Sequence, residues 1–208
     1  MLSLFWLAVT FVFLILAITV HEFAHALAAD RLGDPTARSQ GRLTLNPLSH
    51  IDPIGTVALP LSLTLLTGGA FSYGWGKPTP FDPYNLQNPR KDAAIIAIAG
   101  PISNIILAII GAIIIRLVPH QFTLFVLPLI TTNISLAVFN LFPIGPLDGQ
   151  KILFGLLPRD LAYEFQSVMN RYGTIILIFM IFPLFGGQAP ISSIMTPAIR
   201  FLLSLLLP

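Results

Sequence analysis

No cysteine occurs among the 208 residues, which excludes disulfides and thiolate metal sites and leaves His, Asp and Glu to hold any metal. Charge is nearly as scarce. Eleven Lys and Arg and nine Asp and Glu make up 10% of the chain, against roughly 25% in a soluble domain. A formal net charge of +2 supplies no basic footprint, so no nucleic-acid partner is expected. Internal repeats, low-complexity tracts and soluble appendages are also missing from the sequence. What remains is apolar: 55% hydrophobic residues and a mean hydropathy of +0.83. The composition is that of an integral membrane protein with one membrane-embedded domain over residues 1–208, its partner the lipid bilayer.

Stretches 1–29, 51–71, 93–118 and 122–147 are each long enough to cross or enter a hydrocarbon core that needs about 20 apolar residues. The run 172–207, broken by Pro183, Gly186, Gly187, Pro190 and Pro197, is expected to add C-terminal membrane segments, such as two short spans. Segment 1–29 has no basic beginning and no small-residue cleavage site, and is expected to be retained. The expected fold is an all-α polytopic membrane protein.

Late in the first apolar run come His21, Glu22 and His25, in the pattern H-E-x-x-H. On a helix, residues four apart share one face, so two imidazoles can reach one tetrahedral zinc while the glutamate lies against a metal-bound water. Ala24, Ala26, Leu27, Ala28 and Ala29 favour that helix, with no glycine or proline before Gly33. The same spacing arises by chance on soluble helices. In a membrane helix, ionisable groups cost several kcal/mol and are functional by default.

A hydrolytic zinc site needs three protein ligands and an open fourth position. Of the nine acidic residues, only Glu22 and Asp148 belong to apolar segments without standing in an evident loop. Asp148 is therefore the best third ligand. It sits in AVFNLFPIGPLDGQKIL, where Pro143, Gly145, Pro146 and Gly149 interrupt helix regularity and can turn a carboxylate inward.

HEFAH at 21–25, AGPISN at 99–104 and NLFPIGPLDG at 140–149 resemble, in the same order, the three signature motifs of the site-2 protease family of intramembrane zinc metalloproteases. The likeness spans about 15–155 and is nearest the compact prokaryotic branch without PDZ or CBS domains, in which a stretch like GRLTLNPLSHIDPIGT follows the first motif. It implies His21, His25 and Asp148 as zinc ligands, Glu22 as catalytic base, and a transmembrane protein or peptide as substrate. It also suggests substrate-contacting or transition-state roles for Asn140 and Asn104, whose ordinary alternative is an interhelical hydrogen bond. Gly145 stands where the family usually has proline, which is expected to loosen the turn without affecting the ligand.

Common ligand depth constrains the path of the chain. His21 and His25 lie near the end of the first segment and Asp148 at the end of 122–147, so both segments must run the same way. That requires one intervening segment not to cross. The weaker is 51–71, with Pro53, Gly55, Pro60, Gly68 and Gly69, and it is expected to be re-entrant. With re-entry, Arg31, Arg38, Arg42, Lys77, Arg90, Lys91, Lys151, Arg159 and Arg171, nine of the eleven basic residues, share one face. The positive-inside rule makes that face cytoplasmic and places the site nearer it. Arg38 to Leu45 alternates polar and apolar residues around a glycine and predicts a short strand or hairpin that could hold unwound substrate. His50 reads as a solvated loop histidine or a gating residue.

A metal-ion transporter would use the same donors, but transporters commonly show repeats and paired broken helices, and HEFAH has no counterpart in the second half. A protease-like binding protein need not keep a complete ligand set with its base. The expected function is peptide hydrolysis within the membrane.

Overall fold

Long, mainly apolar runs form α1 (Leu4–Arg31), α4 (Pro89–Leu117) and α5 (Thr123–Asn140) in the computed structural model, which describes residues 4–66, 74–182 and 189–207. Between and after them lie α2 (Thr36–Ser39), α3 (Leu59–Leu66), α6 (Asp148–Leu156), α7 (Arg159–Ile181) and α8 (Pro190–Leu206). Among the described residues, three stretches, Phe5–Arg31, Pro89–Leu117 and His120–Asn140, are long and apolar enough to cross a membrane. The chain is thus a multi-pass, all-helical membrane protein.

Small residues let these helices close on one another. Ala17, Ala26, Ala97, Ala108 and Ala112 are almost wholly buried, and a methyl group added at Gly111 on α4 would lie 2.7 Å from Ile130 Cγ1 on α5. Ala108, Ala112, Ile115, Ile130, Ile134 and Val138 form the core between α4 and α5, with Met195, Ile199 and Leu202 of α8 packed against it. On the opposite face of α4, Ile95, Ile98, Ile102, Ile106, Ile109 and Ile113 recur at helical spacing and stay exposed. Such a stripe in water would be an aggregation surface; in a bilayer it meets lipid.

The expected re-entrant segment leaves and returns at one level. After a π-helical turn, Pro53–Ala58, and α3, the chain comes back so that Trp75 N–H donates to Gly55 O (3.0 Å), Lys77 N–H to His50 O (2.8 Å) and Thr56 Oγ1 to Trp75 O (2.7 Å). The return bonds satisfy backbone groups that a span would have satisfied internally. Residues 67–71 of this segment lie outside the described residues.

The strand or hairpin expected over 38–45 does not form. Residues 36–39 make one helical turn, Gly41 takes a positive φ of 67°, and Arg42 turns inward. Its guanidinium donates to the carbonyls of Ser49, Lys77 and Pro78, so a position in the alternating pattern serves as an interior brace. His50, read as solvated or gating, is fully buried and bonds Thr44 O through Nε2 at 2.7 Å. In the tail, residues 172–181 are the second half of α7, and α8 has 17 residues.

Candidate metal centre

His21 and His25 occupy one face of α1, and Asp148 is the first residue of α6, beyond the turn that ends α5. Their ligand atoms converge. His21 Nε2 and His25 Nε2 are 3.0 Å apart and lie 3.1 and 3.2 Å from Asp148 Oδ2, all three side chains being buried. Ligands at about 2.0 Å from a tetrahedral zinc stand about 3.3 Å apart along its edges. The triangle therefore matches the metal within a few tenths of an ångström.

Donor chemistry agrees. His25 Nδ1 meets Ile96 O at 2.7 Å and His21 Nδ1 meets Asn104 Oδ1 at 2.7 Å, so each ring carries its proton on Nδ1. Both Nε2 lone pairs then face a carboxylate oxygen. Three acceptors at such distances repel one another unless a cation lies among them, and His21, His25 and Asp148 are the one group among the described residues able to hold a metal ion. Gly100 on α4 makes the space: a methyl group there would lie 2.5 Å from His25 Nε2 and 2.6 Å from His21 Cε1.

Glu22 is half-buried beside this centre. Its Oε2 accepts the Thr79 N–H at 2.8 Å, and Thr79 Oγ1 donates to its backbone carbonyl at 3.0 Å, so the returning segment holds the residue by both its side chain and its backbone. Glu22, the three candidate ligands, Asn140, Thr79 and Lys151 line a cavity of about 560 Å³ whose other walls are mainly apolar side chains of α1, α5 and α7. Several water molecules, each taking roughly 30 Å³, fit within it.

The structure separates the two asparagines. Asn140 lines the cavity, with Nδ2 donating to Leu136 O at 3.0 Å within its own helix. Asn104, expected to meet substrate, does not line the cavity: it is fully buried behind His21, donating to Ala17 O (3.1 Å) and Asn133 Oδ1 (2.8 Å). Its contacts are those of the interhelical alternative. A methyl group on Gly173 of α7 would lie 2.9–3.0 Å from the Gly145 backbone, so a bare Gly173 lets α7 pack against the turn before Asp148.

Thr79, Gly100 and Asn133 were not singled out from the sequence. Asn133 carried a usable signal, an amide within an apolar run. The importance of Thr79 and Gly100 depends on which side chain comes to lie opposite, and nothing local announces that.

The sequence profile described as Peptidase family M50 matches residues 9–122 and 116–180. A protein of Bacillus subtilis (strain 168) named "Putative zinc metalloprotease YwhC" is 38% identical over 184 residues, 82% of this chain and 79% of its own length. Stage IV sporulation protein FB of the same organism is 31% identical over 160 residues, 76% of this chain and 53% of its own. A Mycolicibacterium smegmatis protein carrying the same description as the first, Rip2, is 29% identical over 177 residues, and this chain covers 64% of it. No solved structure matches. With the profile running through most of the sequence and converging histidines and aspartate where the metal belongs, the chain belongs to peptidase family M50, the site-2 protease family, and is a zinc metalloprotease.

Proposed function

We propose that the protein hydrolyses peptide bonds of transmembrane substrates, with His21, His25 and Asp148 holding the zinc and Glu22 serving as general base. The observation that carries this is the 3.0–3.2 Å triangle of ligand atoms opening, with Glu22, on one cavity. Zinc bound there would lower the pKa of its water towards 7 and polarise the scissile carbonyl.

Glu22 takes the proton of the attacking water and returns it to the leaving amine. Its Oε2 is pinned by the Thr79 N–H, and Oε1, near Gly76, is the oxygen left for the proton. Asn140 uses one amide hydrogen on Leu136 O and keeps the second for the carbonyl oxygen of the substrate as negative charge develops there. Apolar walls from Leu177, Ile178 and Ile181 exclude bulk water and suit an apolar substrate segment, which must unwind to expose its peptide bonds. The non-helical run 74–79, with Gly74, Trp75 and Gly76 on the cavity wall, is the backbone such a segment meets. The positive-inside rule, applied to the basic residues, supports the cytoplasm for this side.

Glu22→Gln tests the reading. Glutamine keeps the shape of the side chain but cannot take the proton, and the ligands are untouched. Zinc content should match the parent while cleavage of a transmembrane substrate in liposomes falls by about 10²–10⁴-fold. Equal cleavage by the zinc-loaded variant removes Glu22 from its role. Zinc flux without cleavage by the parent makes the chain a transporter.

A further inference from the structure

Asn133, on α5, belongs to none of the three motifs, yet this amide is fully buried between Ile130 and Ile134. Its Nδ2 donates to Leu129 O at 2.8 Å, which turns its Oδ1 towards Asn104 Nδ2, 2.8 Å away. Asn104 Nδ2 spends its other hydrogen on Ala17 O at 3.1 Å, leaving Asn104 Oδ1 to accept from His21 Nδ1 at 2.7 Å. Donation runs in one direction, from α1 through α4 to α5.

The two histidines are held differently. His25 Nδ1 is fixed by a backbone carbonyl, Ile96 O, which cannot turn round. His21 is fixed by a side-chain amide, which can. If the Asn104 amide flipped, its NH₂ would face His21 Nδ1, the ring proton would move to Nε2, and an N–H would point where a lone pair is needed. The flip would also set Asn104 Oδ1 against two acceptors, Asn133 Oδ1 and Ala17 O. Asn133 thus supplies half of what forbids it.

We propose that Asn133 is a positioning residue for His21: through Asn104 it fixes the Nδ1–H form of the imidazole and so aims Nε2 at the metal. This rests on the metal reading of His21, His25 and Asp148. Outer partners of metal ligands typically contribute 10–100-fold in metal affinity.

Zinc affinity of the purified full chain in detergent, measured by competition with a chromophoric chelator, tests this in the parent, Asn133→Leu and Asn133→Asp. Leucine fills the space and suits a membrane helix but offers no acceptor. A neutral aspartic acid offers a carbonyl to Asn104 and a hydroxyl to Leu129 O. The leucine variant should bind zinc about 10–100-fold more weakly with the melting temperature of the metal-free protein unchanged, and the aspartate variant should return to within a few-fold of the parent. Cobalt(II) loaded in place of zinc should give parental visible absorption in Asn133→Asp and an altered spectrum in Asn133→Leu. Parental affinity and spectrum in Asn133→Leu overturn the proposal while leaving the metal site standing. Equal losses in both variants, tracking lowered melting temperatures, overturn it in favour of a packing role. Should Asn133→Leu not fold, Asn133→Ala takes its place with the same expected loss. A parent that binds no zinc overturns the metal reading and the proposal together.

Discussion

Gly100→Ala adds one methyl group to the middle of α4 and should remove the metal without unfolding the protein. By helix propensity alone the change is favourable by about 1 kcal/mol. The new Cβ, however, would stand 2.5 Å from His25 Nε2 and 2.6 Å from His21 Cε1, where ordinary contact begins near 3.4 Å. The histidines and α4 must separate by about 1 Å, whereas metal–ligand distances tolerate about 0.2 Å. The helices cannot share the movement cheaply, because Ala17, Ala26 and Ala97 leave no exposed surface where α1 and α4 pack. A zinc bond of about 2.0 Å stretched by half that distance is no longer a bond, so the site falls from three ligands to two. The expected loss is at least about 100-fold in zinc affinity, about 2.8 kcal/mol, read by chelator competition, with cleavage lost in parallel. Gly111→Ala is the matched control: its methyl group would meet Ile130 Cγ1 at 2.7 Å, so it should lower the melting temperature and keep zinc. Gly100→Ala with parental zinc affinity and parental cleavage would refute the role given to the glycine and the ligand geometry with it.

Asp148→Ala leaves two imidazoles and should lower zinc content to background by elemental analysis; full occupancy would make another residue the third ligand. Cysteines placed singly at the exposed positions Ser39 and Gln87 should be labelled by an impermeant reagent from the same face of sealed vesicles, and labelling from opposite faces would overturn the re-entrant path. Asp34 is fully buried and accepts from Thr36 N, Thr36 Oγ1, Asp82 N and Asn85 Nδ2, joining the loop after α1 to the loop before α4. Burial raises its pKa, but these bonds outweigh burial and hold the carboxyl below its usual range. Its contribution is therefore complete above about pH 4, the unfolded value, and is lost as pH falls through the lower folded value. The melting-temperature gap between parent and Asp34→Asn should be constant from pH 7 to about 4.5 and shrink below that; a gap unchanged at pH 3 would refute it.

Much of the site was legible in the sequence because its ligands obey two local rules. Four-residue spacing puts His21 and His25 on one face of any helix they form, and a carboxylate in an apolar segment, as at Asp148, is too costly to be idle. The expectation of a re-entrant path rested on the same economy, since proline and glycine in 51–71 cannot satisfy a lone membrane-spanning backbone. Local rules failed wherever a side chain's partner came from far along the chain. The alternation over 38–45 predicted a strand, but Arg42 turned inward to the carbonyls of Ser49, Lys77 and Pro78. Asn104 reads as a substrate contact within its motif, and only the packing of α1, α4 and α5 puts it behind His21 with Asn133 at its back. The sequence by itself determined which atoms can bind a metal and that they lie in a membrane, because donor identity, helical period and hydropathy are properties of short stretches. Which nitrogen carries each proton, which glycine must stay bare and which backbone amide steadies Glu22 were decided only by the tertiary structure, because each is a contact between residues at least 57 positions apart.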